Sequence, residues 1–439
     1  MAILCMYGKA YFAHLAYRMA ILSMCGMPVF GRQAQHMHIP DLRERIKDSI
    51  MNEIRKLLAI LTTAIMVLAL AGCGADGGSE AGSSAWEDHR TSSMELKYAD
   101  QFHVDYYDDG ISVVTVEDGL SYLLTETPDD LPDWLPEDEV SGMTVIAAPA
   151  ASVYNAASSA MDLIDAAGAL DSVIMTSTQA KDWGIEKIRK LVEDGSIQYV
   201  GKYSAPDYEA LLEGDVGLAI ESTMIYHSPQ IKEAIEELGI PVLVERSSYE
   251  ADPLGRLEWI KLYGLLFGKE DEAQAFFDEA EAKVEGVDTG SMAETPSVAF
   301  FSVNSNGSVV VRKPGDYVTK MIETAGGAYA LDGITDEEDN ALSTMNMQME
   351  AFYDKAVDAD ILIYNSTIEG GLESIGDLTA LSDKFCDFAA LKSGNVWCTE
   401  ASTFQRTTGA ADMIVELNKI FAGAASDDGD YEYFHKLDK

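Results

Sequence analysis

The sequence predicts an α/β protein with two Rossmann-like lobes bridged by a long helix, and with a small β-hairpin region near its N-terminus. Residues 140–252 and 288–425 each alternate short apolar runs with helical patterns. This alternation is typical of a parallel sheet with helices on its faces. Residues 253–287 carry a helical apolar stripe without a convincing strand. The predicted order is therefore lobe, bridging helix, lobe.

The composition fits a folded protein and excludes one large class of partner. Of the 439 residues, 47% are hydrophobic and 9% are aromatic, which is enough for a sizeable core. The 74 Asp and Glu residues outnumber the 31 Lys and Arg residues, and the formal net charge is -43. A surface this negative repels phosphate backbones and anionic lipid headgroups, so nucleic-acid binding is excluded.

The front of the chain is predicted to lie outside the fold. Residues 51–72 have the layout of a signal peptide, because a basic pair precedes Leu57–Leu70, an apolar run of 14 residues. That run is shorter than the ~20 residues that span a bilayer. We expect residues 1–50 to be an over-extended gene start, since Lys47-Asp48 must be encoded by purine-rich codons that resemble a ribosome-binding site just upstream of Met51. The alternative is that Met1–Phe30 is a real apolar targeting segment.

Cys73 ends a tetrapeptide, Leu70-Ala71-Gly72-Cys73, that resembles the bacterial lipobox. In such a motif the signal is cut before the cysteine, whose thiol becomes acylated, and two or more acyl chains hold a protein stably on a membrane. We therefore expect lipidation at Cys73 and a location on the extracytoplasmic face of the bacterial cell membrane. Ordinary secretion with a chance cysteine is the alternative. Residues 73–93 begin with a Gly- and Ser-rich stretch and are expected to form a flexible tether.

Residues 94–139 are predicted to form the β-hairpin region. Asp109-Gly110 and Asp118-Gly119 each stand between apolar stretches, which is a hairpin signal. An acidic, Pro-rich link, Pro128–Glu139, leads into the first lobe.

Each lobe is predicted from its alternating pattern. In the N-terminal lobe the strands are Thr144–Ala148, Ser172–Met175, Val216–Ile220 and Pro241–Glu245, and the helices are Ser158–Leu170, Ile185–Glu193, Asp207–Glu213 and Pro229–Leu238. The bridging helix is expected over Leu254–Val284. The C-terminal lobe has the strands Ser297–Val303, Ile361–Tyr364 and Asn395–Cys398 and a final helix at Gly409–Ala422. The acidic tail, residues 426–439, is expected to fray.

Ligands of open parallel sheets bind outside the carboxyl ends of the strands. The residues there are mainly hydroxyls and amides with a few aromatic rings, and such groups bind a ligand but are poor catalysts on their own. The candidate ligand-binding residues are Ser152, Tyr154, Thr176, Tyr203, Glu221, Ser222, Thr223, Arg246, Tyr249, Asn304, Asn365 and Gln405.

Several of these candidates have a structural alternative. Arg246 stands between two glutamates, so a surface ion pair is as good an explanation as ligand contact. Tyr154 fits a core position beneath its loop, and Ser222 and Thr223 fit helix N-caps. Asn304 opens a sequence, Asn-Ser-Asn-Gly, that is at least a turn.

The sequence lacks the signatures of the common catalytic and metal sites. There is no Gly-x-Ser-x-Gly, no His-Glu-x-x-His and no Walker-type phosphate loop. The four histidines after Cys73 form no spaced cluster, which argues against a receptor for bare zinc or manganese ions. No cofactor or resident metal is expected. Cys386 and Cys398 either form a disulfide or stay free.

Several segments in this order are similar to the class III substrate-binding lipoproteins of ABC importers, which bind iron–siderophore complexes, haem and cobalamin. The similarity covers about residues 140–425, and its segments are Val145–Leu170, Gly201–Glu209, Leu238–Val242, Pro253–Lys261 with Leu266–Glu270, and Ala390–Trp397. The resemblance implies a monomeric, non-enzymatic protein. It would capture an iron chelate or a corrinoid between its lobes and deliver it to a membrane permease with its ATPase.

The resemblance also selects docking residues and leaves the ligand open. In the family, one exposed glutamate on each lobe contacts the permease, and the matching positions are Glu209 and Glu350, although any glutamate near a helix start is favourable there. The cleft loops are expected to lack a clear aromatic and arginine cluster, because only Arg246, Arg312 and Arg406 lie at strand ends. Haem would require a Tyr or His ligand, and Tyr154, Tyr249 and His227 are guesses.

Two other functions remain open at this stage. The first is a sensor lipoprotein that passes ligand occupancy to a membrane signalling partner. The second is an extracytoplasmic hydrolase.

Overall fold

A computed structural model describes residues 86–290, 292, 294–334, 343–423 and 431–439. These residues belong to one unit, Gly82–Lys439. The predictions for residues 1–50, the signal peptide, the lipidation of Cys73 and most of the tether fall outside the described residues.

A five-stranded sheet forms the N-terminal region. Its strands are β1 (Arg90–Ser93), β2 (Phe102–Tyr107), β3 (Ser112–Val116), β4 (Ser121–Thr125) and β5 (Thr144–Ala147), in that spatial order. The first four pair antiparallel, with the predicted Asp-Gly turns between β2 and β3 and between β3 and β4, and β5 pairs parallel with β4. The short helix α1 (Glu137–Val140) precedes β5. The assignment of Thr144–Ala148 to the first lobe was therefore wrong, since β5 completes this sheet.

The N-terminal lobe is a parallel sheet of five strands in the order β12-β11-β6-β7-β8. Its strands and an accessory pair are β6 (Val153–Asn155), β7 (Val173–Thr176), β8 (Gln198–Tyr199), β9 (Gly201–Lys202), β10 (Ala205–Pro206), β11 (Leu218–Ser222) and β12 (Val242–Glu245). Its helices are α2 (Ser158–Ala166), α3 (Glu186–Glu193), α4 (Tyr208–Glu213) and α5 (Pro229–Glu237). The predictions for β7, β11 and β12 are confirmed, each within two residues of the predicted bounds, because most residues of each strand are buried.

Two helices bridge the lobes where one was predicted. These are α6 (Pro253–Phe267) and α7 (Glu270–Glu285). Gly268 stops the first helix in the left-handed conformation, with φ of 64°. Asp252 caps the start of α6 by accepting a hydrogen bond from the backbone N–H of Leu254. Helix α6 is buried on nearly all sides and contacts α2 of the N-terminal lobe as well as the last helix of the C-terminal lobe.

The C-terminal lobe is a mixed sheet in the order β16-β14-β13-β17-β18-β19, with β15 pairing β13. The strands are β13 (Ser297–Val303), β14 (Val309–Arg312), β15 (Ala328–Tyr329), β16 (Thr344–Met347), β17 (Ile361–Tyr364), β18 (Val396–Thr399) and β19 (Phe434–Lys436). The helices are α8 (Tyr317–Thr324), α9 (Met349–Ala356), α10 (Ser366–Glu369), α11 (Ile375–Leu381), α12 (Ala389–Ser393) and α13 (Ala410–Phe421). The three predicted strands are the parallel centre of this sheet.

The end of the chain is part of the fold. Strand β19 pairs antiparallel with β18, and Tyr433 and Phe434 are buried. The buried carboxylate of Glu416 accepts hydrogen bonds from the backbone N–H groups of Glu432 and Tyr433. The prediction that residues 426–439 fray is therefore wrong for residues 431–439, since aromatic side chains fill the edge of the C-terminal core.

The described residues also settle the state of two cysteines. Cys386 is exposed and Cys398 is buried, and both are free thiols. Within the same ranges, no helix combines the length and hydrophobicity of a membrane span, and no group of His, Cys, Asp and Glu side chains is arranged to hold a metal ion.

Candidate ligand cleft

An open cleft of about 640 Å³ lies between the two lobes. Its N-lobe wall consists of the loops that follow β11 and β12, with Thr223, Met224 and Tyr249 among the lining residues. Its C-lobe wall includes residues 310–317, with Phe300, Asn365 and Phe404. The volume is within the range of sites that bind small molecules.

Arg256 connects the two walls. It lies in the first turn of α6, where Nε donates a hydrogen bond to the carbonyl of Glu250 at 3.1 Å and Nη2 donates to the carbonyl of Ser248. Its guanidinium also lies 3.5 Å from the ring centroid of Tyr317, at the start of α8. Burial lowers the pKa of Arg256 from its ordinary value, but a guanidinium stays charged at any physiological pH.

Arg312 is the second cation of the cleft. Its side chain is only 4% exposed, and Nη1 lies 3.5 Å from Oδ2 of Asp316. The same guanidinium lies 5.3 Å from the ring of Tyr317 and 5.2 Å from the ring of Phe404. Burial raises the pKa of Asp316, and the charge of Arg312 opposes that rise. A charge-assisted contact thus holds Arg312 among aromatic rings at the cleft.

Together these residues make a cationic, aromatic wall in a protein whose net charge is -43. Arg256, Arg312 and Lys313 line the cleft together with the carboxylates Glu250 and Asp316, so the lining carries a formal excess of positive charge. The expectation that the cleft lacks an aromatic and arginine cluster is therefore wrong. Arg406 lines a smaller adjoining cavity, where it pairs with Glu432 at 2.5 Å and lies over the ring of Tyr433.

Three of the predicted ligand-binding residues line the cleft. Thr223 and Tyr249 do so from the N-terminal lobe, and the side chain of Tyr249 is 42% exposed. Asn365 does so from the end of β17, where its Oδ1 accepts hydrogen bonds from the N–H and the hydroxyl of Thr367. Ser222 lies beside Thr223 and caps the following 3₁₀ turn through the N–H of Met224.

Tyr154, Thr176 and Glu221 are each fully buried in the N-terminal lobe. Among the described residues, the carboxyl oxygens of Glu221 have no hydrogen-bond partner. Burial raises the pKa of Glu221 to about 8, so its carboxyl is mostly protonated at neutral pH. Burial also raises the pKa of Tyr154. These side chains lie within the core rather than along the cleft.

Four other candidates lie in turns or at contacts between elements. Ser152 directly precedes β6 and has a φ of 54°. It was expected in the loop after the first strand of the lobe, but that strand begins only at Val153. Tyr203 is in the turn between β9 and β10, and Asn304 closes the β13–β14 turn by accepting a hydrogen bond from the N–H of Ser308. Arg246 turns toward the N-terminal sheet, with Nη1 3.5 Å from Oδ2 of Asp118.

Gln405 joins the two lobes directly. Its Oε1 accepts a hydrogen bond from the N–H of Gly184 at 2.7 Å, and its Nε2 donates to the carbonyl of Asp182 at 2.8 Å. Close to it, the N–H and hydroxyl of Thr408 both donate to Oδ2 of the buried Asp162, at 2.8 and 2.6 Å. One edge of the cleft is therefore closed by contacts between lobes.

The two candidate docking residues are exposed at helix starts. Glu209 is in the first turn of α4, two residues after the capping residue Asp207. Glu350 is in the first turn of α9, with its side chain 71% exposed and Oε1 3.5 Å from Nζ of Lys384. Their role in docking stays a prediction.

Sequence reasoning missed Arg256, Tyr317 and Phe300. Arg256 lies in a helix that was predicted only to bridge the lobes. Phe300 lies inside a predicted strand and Tyr317 follows no predicted strand, so neither was considered as a strand-end residue. A basic residue in the first turn of a helix is unfavourable with the helix dipole, and this mismatch is a signal in the sequence that could have pointed to Arg256.

This fold, with a ligand cleft between two α/β lobes, defines a class of solute-binding proteins. A model of the periplasmic binding protein family matches residues 156–379, just over half of the chain. The chain belongs to this family, which confirms both the predicted resemblance and the predicted fold class. Since members of the family bind solutes without transforming them, the protein is not an enzyme.

The chain is also similar to two uncharacterized lipoproteins of Methanocaldococcus jannaschii. One is 25% identical and the alignment covers 80% of this chain and 89% of that protein. The other is 22% identical, with coverage of 78% and 86%.

Among solved structures, the chain resembles a periplasmic binding protein from Veillonella parvula with 14% identity and a TM-score of 0.51, over 62% of this chain and 92% of that one. It also resembles the periplasmic heme binding protein HutB of Vibrio cholerae, with 16% identity and a TM-score of 0.50, over 60% and 97%. At these identities the likeness concerns the fold.

Proposed function

We propose that this protein is the extracytoplasmic receptor of an ABC importer and that it captures an anionic iron chelate in the cleft between its lobes. The observation that carries the proposal is the cluster of Arg256, Arg312, Tyr317 and Phe404 on one wall. Guanidinium groups bind carboxylate and catecholate oxygens through charge-assisted hydrogen bonds. Aromatic rings bind the flat organic part of the same ligand.

Electrostatics favour an anionic ligand over a neutral corrinoid. The body of the protein repels anions, so a cleft that selects one needs local cations, and desolvated cations act more strongly there than on the surface. A neutral ligand would make no charge-assisted hydrogen bond with Arg256 or Arg312, whereas an anionic ligand would make them with both. An iron(III) complex with several catecholate or carboxylate groups satisfies both guanidinium groups.

Haem is the second candidate ligand, and one observation favours it. His227 and Tyr249 both line the cleft, and each side chain is of a type that ligates haem iron. The propionates of haem would meet the same arginines. HutB of Vibrio cholerae, which shares the fold, is named a heme binding protein.

Delivery completes the proposed function. We infer that a lipid on Cys73 keeps the receptor at the membrane, and the relatives named lipoproteins support this. Glu209 and Glu350, one exposed on each lobe, would then meet basic residues of the permease. Charges at the rim of an interface mainly set the rate of encounter and the register of docking.

Binding of defined probes to the purified chain tests the ligand class. Quenching of tryptophan fluorescence is measured with an iron(III) tris-catecholate, haemin and cyanocobalamin. We expect the anionic complexes to bind and cyanocobalamin not to bind. The Arg312→Gln variant should weaken binding roughly 10- to 100-fold, since loss of a contact to a charged group costs about 1.5–3 kcal/mol.

The control is Arg189→Gln, because Arg189 is an exposed partner of Glu193 on α3, away from the cleft. An absorption band of ligated haem that disappears in His227→Ala or Tyr249→Phe would select haem over the siderophore-like chelate. Equal affinity of wild type and Arg312→Gln for every bound probe would contradict the proposed cleft chemistry.

A further inference from the structure

The N-terminal sheet lies outside the family match and is joined to the N-terminal lobe by hydrogen bonds. The match begins at residue 156, whereas the five strands span Arg90–Ala147. Buried groups fix this sheet to the N-terminal lobe. Glu250 accepts hydrogen bonds from the N–H groups of Asp100 and Gln101, both at 3.0 Å. The hydroxyl of Tyr122 accepts one from the N–H of Val244 in β12, also at 3.0 Å.

One carboxylate of the sheet contacts both loops of the N-lobe wall. Asp118 is in the turn between β3 and β4, where Oδ1 accepts a hydrogen bond from the N–H of Leu120 at 3.1 Å. Its Oδ2 accepts a hydrogen bond from the hydroxyl of Tyr226, in the loop after β11. The same Oδ2 lies 3.5 Å from Nη1 of Arg246, at the start of the loop after β12.

The neighbours of these two contacts face the cleft. Met224 and His227 line it on either side of Tyr226, and Ser247–Ala251 line it directly after Arg246. The guanidinium of Arg246 also lies 4.3 Å from the ring centroid of Tyr249, which itself lines the cleft. Each loop is therefore held on its outer side by Asp118 while its inner side meets the ligand space.

We propose that Asp118 is a positioning residue for ligand binding, which fixes both loops of the N-lobe wall through Tyr226 and Arg246. The proposal rests on the proposed role of the cleft as the ligand site. The side chains of Asp118 and Arg246 are only 16% and 13% exposed, so solvent and salt screen their interaction less than they screen an exposed ion pair. Gln101 adds a second contact, since its Oε1 accepts a hydrogen bond from Nη2 of Arg246 at 3.2 Å.

Two variants and a matched control test this role in the full chain. Asp118→Ala removes both contacts, and Tyr226→Phe removes a single hydroxyl. The control is Asp109→Ala, because Asp109 is in another turn of the same sheet and accepts a hydrogen bond from Nε1 of Trp134 at 2.8 Å. Hydrogen exchange is measured without ligand. The backbone amides of residues 223–227 and 246–251 should exchange about tenfold faster in Asp118→Ala than in the wild type, and at the wild-type rate in the control.

Affinity gives the second readout. With an iron(III) tris-catecholate as the probe, Asp118→Ala should weaken binding about tenfold. The double variant with Tyr226→Phe should bind no more weakly than Asp118→Ala alone, because the hydroxyl acts only through the carboxylate. Additive losses would contradict a shared positioning role.

The outcomes separate this inference from the proposed function. If no probe binds the wild type, the proposed ligand class fails, and exchange of the two loops still decides whether Asp118 positions them. Unchanged exchange in both loops would overturn the inference even where the probe binds. If Asp118→Ala does not fold, Tyr226→Phe carries the exchange test alone, with faster exchange expected at residues 223–227.

Discussion

Removal of the buried carboxyl of Glu221 should make the free energy of unfolding less sensitive to high pH. The side chain is fully buried in the core of the N-terminal lobe, and neither of its oxygens has a hydrogen-bond partner within the part of the chain that the structure describes. Glu221→Gln keeps the shape of the side chain and replaces the ionisable group with a neutral amide. The variant therefore removes the titration of one group with little change in packing.

The magnitude follows from the difference in pKa between the folded and unfolded states. Burial raises the pKa of Glu221 from 4.5 to about 8, so the folded protein holds a proton that the unfolded chain releases. Stability from the protonated form is complete below pH 4.5 and is lost as the pH rises through 8. Because one pKa unit corresponds to about 1.4 kcal/mol, the loss is roughly 3 kcal/mol at pH 7 and roughly 5 kcal/mol well above pH 8.

Urea unfolding at pH 5, 7 and 9 gives the free energy of unfolding of the wild type and of Glu221→Gln. Glu209→Gln is the control, because Glu209 is exposed on the preceding helix. The free energies of wild type and Glu221→Gln should be closest at pH 5. At pH 9 the variant should be the more stable by roughly 4 kcal/mol. The reasoning is refuted if the wild type and Glu221→Gln show parallel pH dependence over this range.

Three further predictions concern other parts of the molecule. Contacts with Cys398, Leu372 and Glu400 raise the pKa of His435 to about 10. The stabilisation by its charged form is therefore complete below the ordinary pKa of 6.5 and is lost as the pH rises through 10. His435→Gln should make the midpoint of thermal denaturation depend less on pH between pH 7 and 10. A Cβ at Gly184 would lie 2.7 Å from Cβ of Ser402, so Gly184→Ala should separate the lobes and increase the radius of gyration in X-ray scattering. Cys73→Ala protein should leave the membrane fraction after washing with high salt, and its retention there would exclude the proposed lipid anchor.

Much of the fold could be predicted because the order of apolar and polar residues along a segment indicates which of its residues are buried. Strands β11, β12, β13 and β17 each contain three or more consecutive buried apolar residues, as expected for strands covered on both faces. The two Asp-Gly turns of the N-terminal sheet also follow from backbone preference. These features depend on a few neighbouring residues, so the sequence indicates them directly.

The wrong predictions concern strands whose pairing depends on another segment of the chain. Strand β6 has only three residues, which is too short for a recognisable pattern. The sequence of β5 predicts a strand of the N-terminal lobe, but β5 pairs with β4 of the N-terminal sheet. The chain end looks acidic and irregular, yet β19 pairs with β18. In each case the stabilising hydrogen bonds come from a segment that is distant in the sequence.

The ligand cleft shows the same division. By itself the sequence determined the α/β class, the order of the lobes, the absence of common catalytic motifs and the strand ends that supply Thr223, Tyr249 and Asn365. Only the tertiary structure brought Arg256 and Arg312 to one aromatic wall and turned Arg246 toward Asp118. The physical reason is that the periodicity of a segment specifies which face is buried, whereas contacts between charged side chains depend on how buried elements from separate parts of the chain pack together.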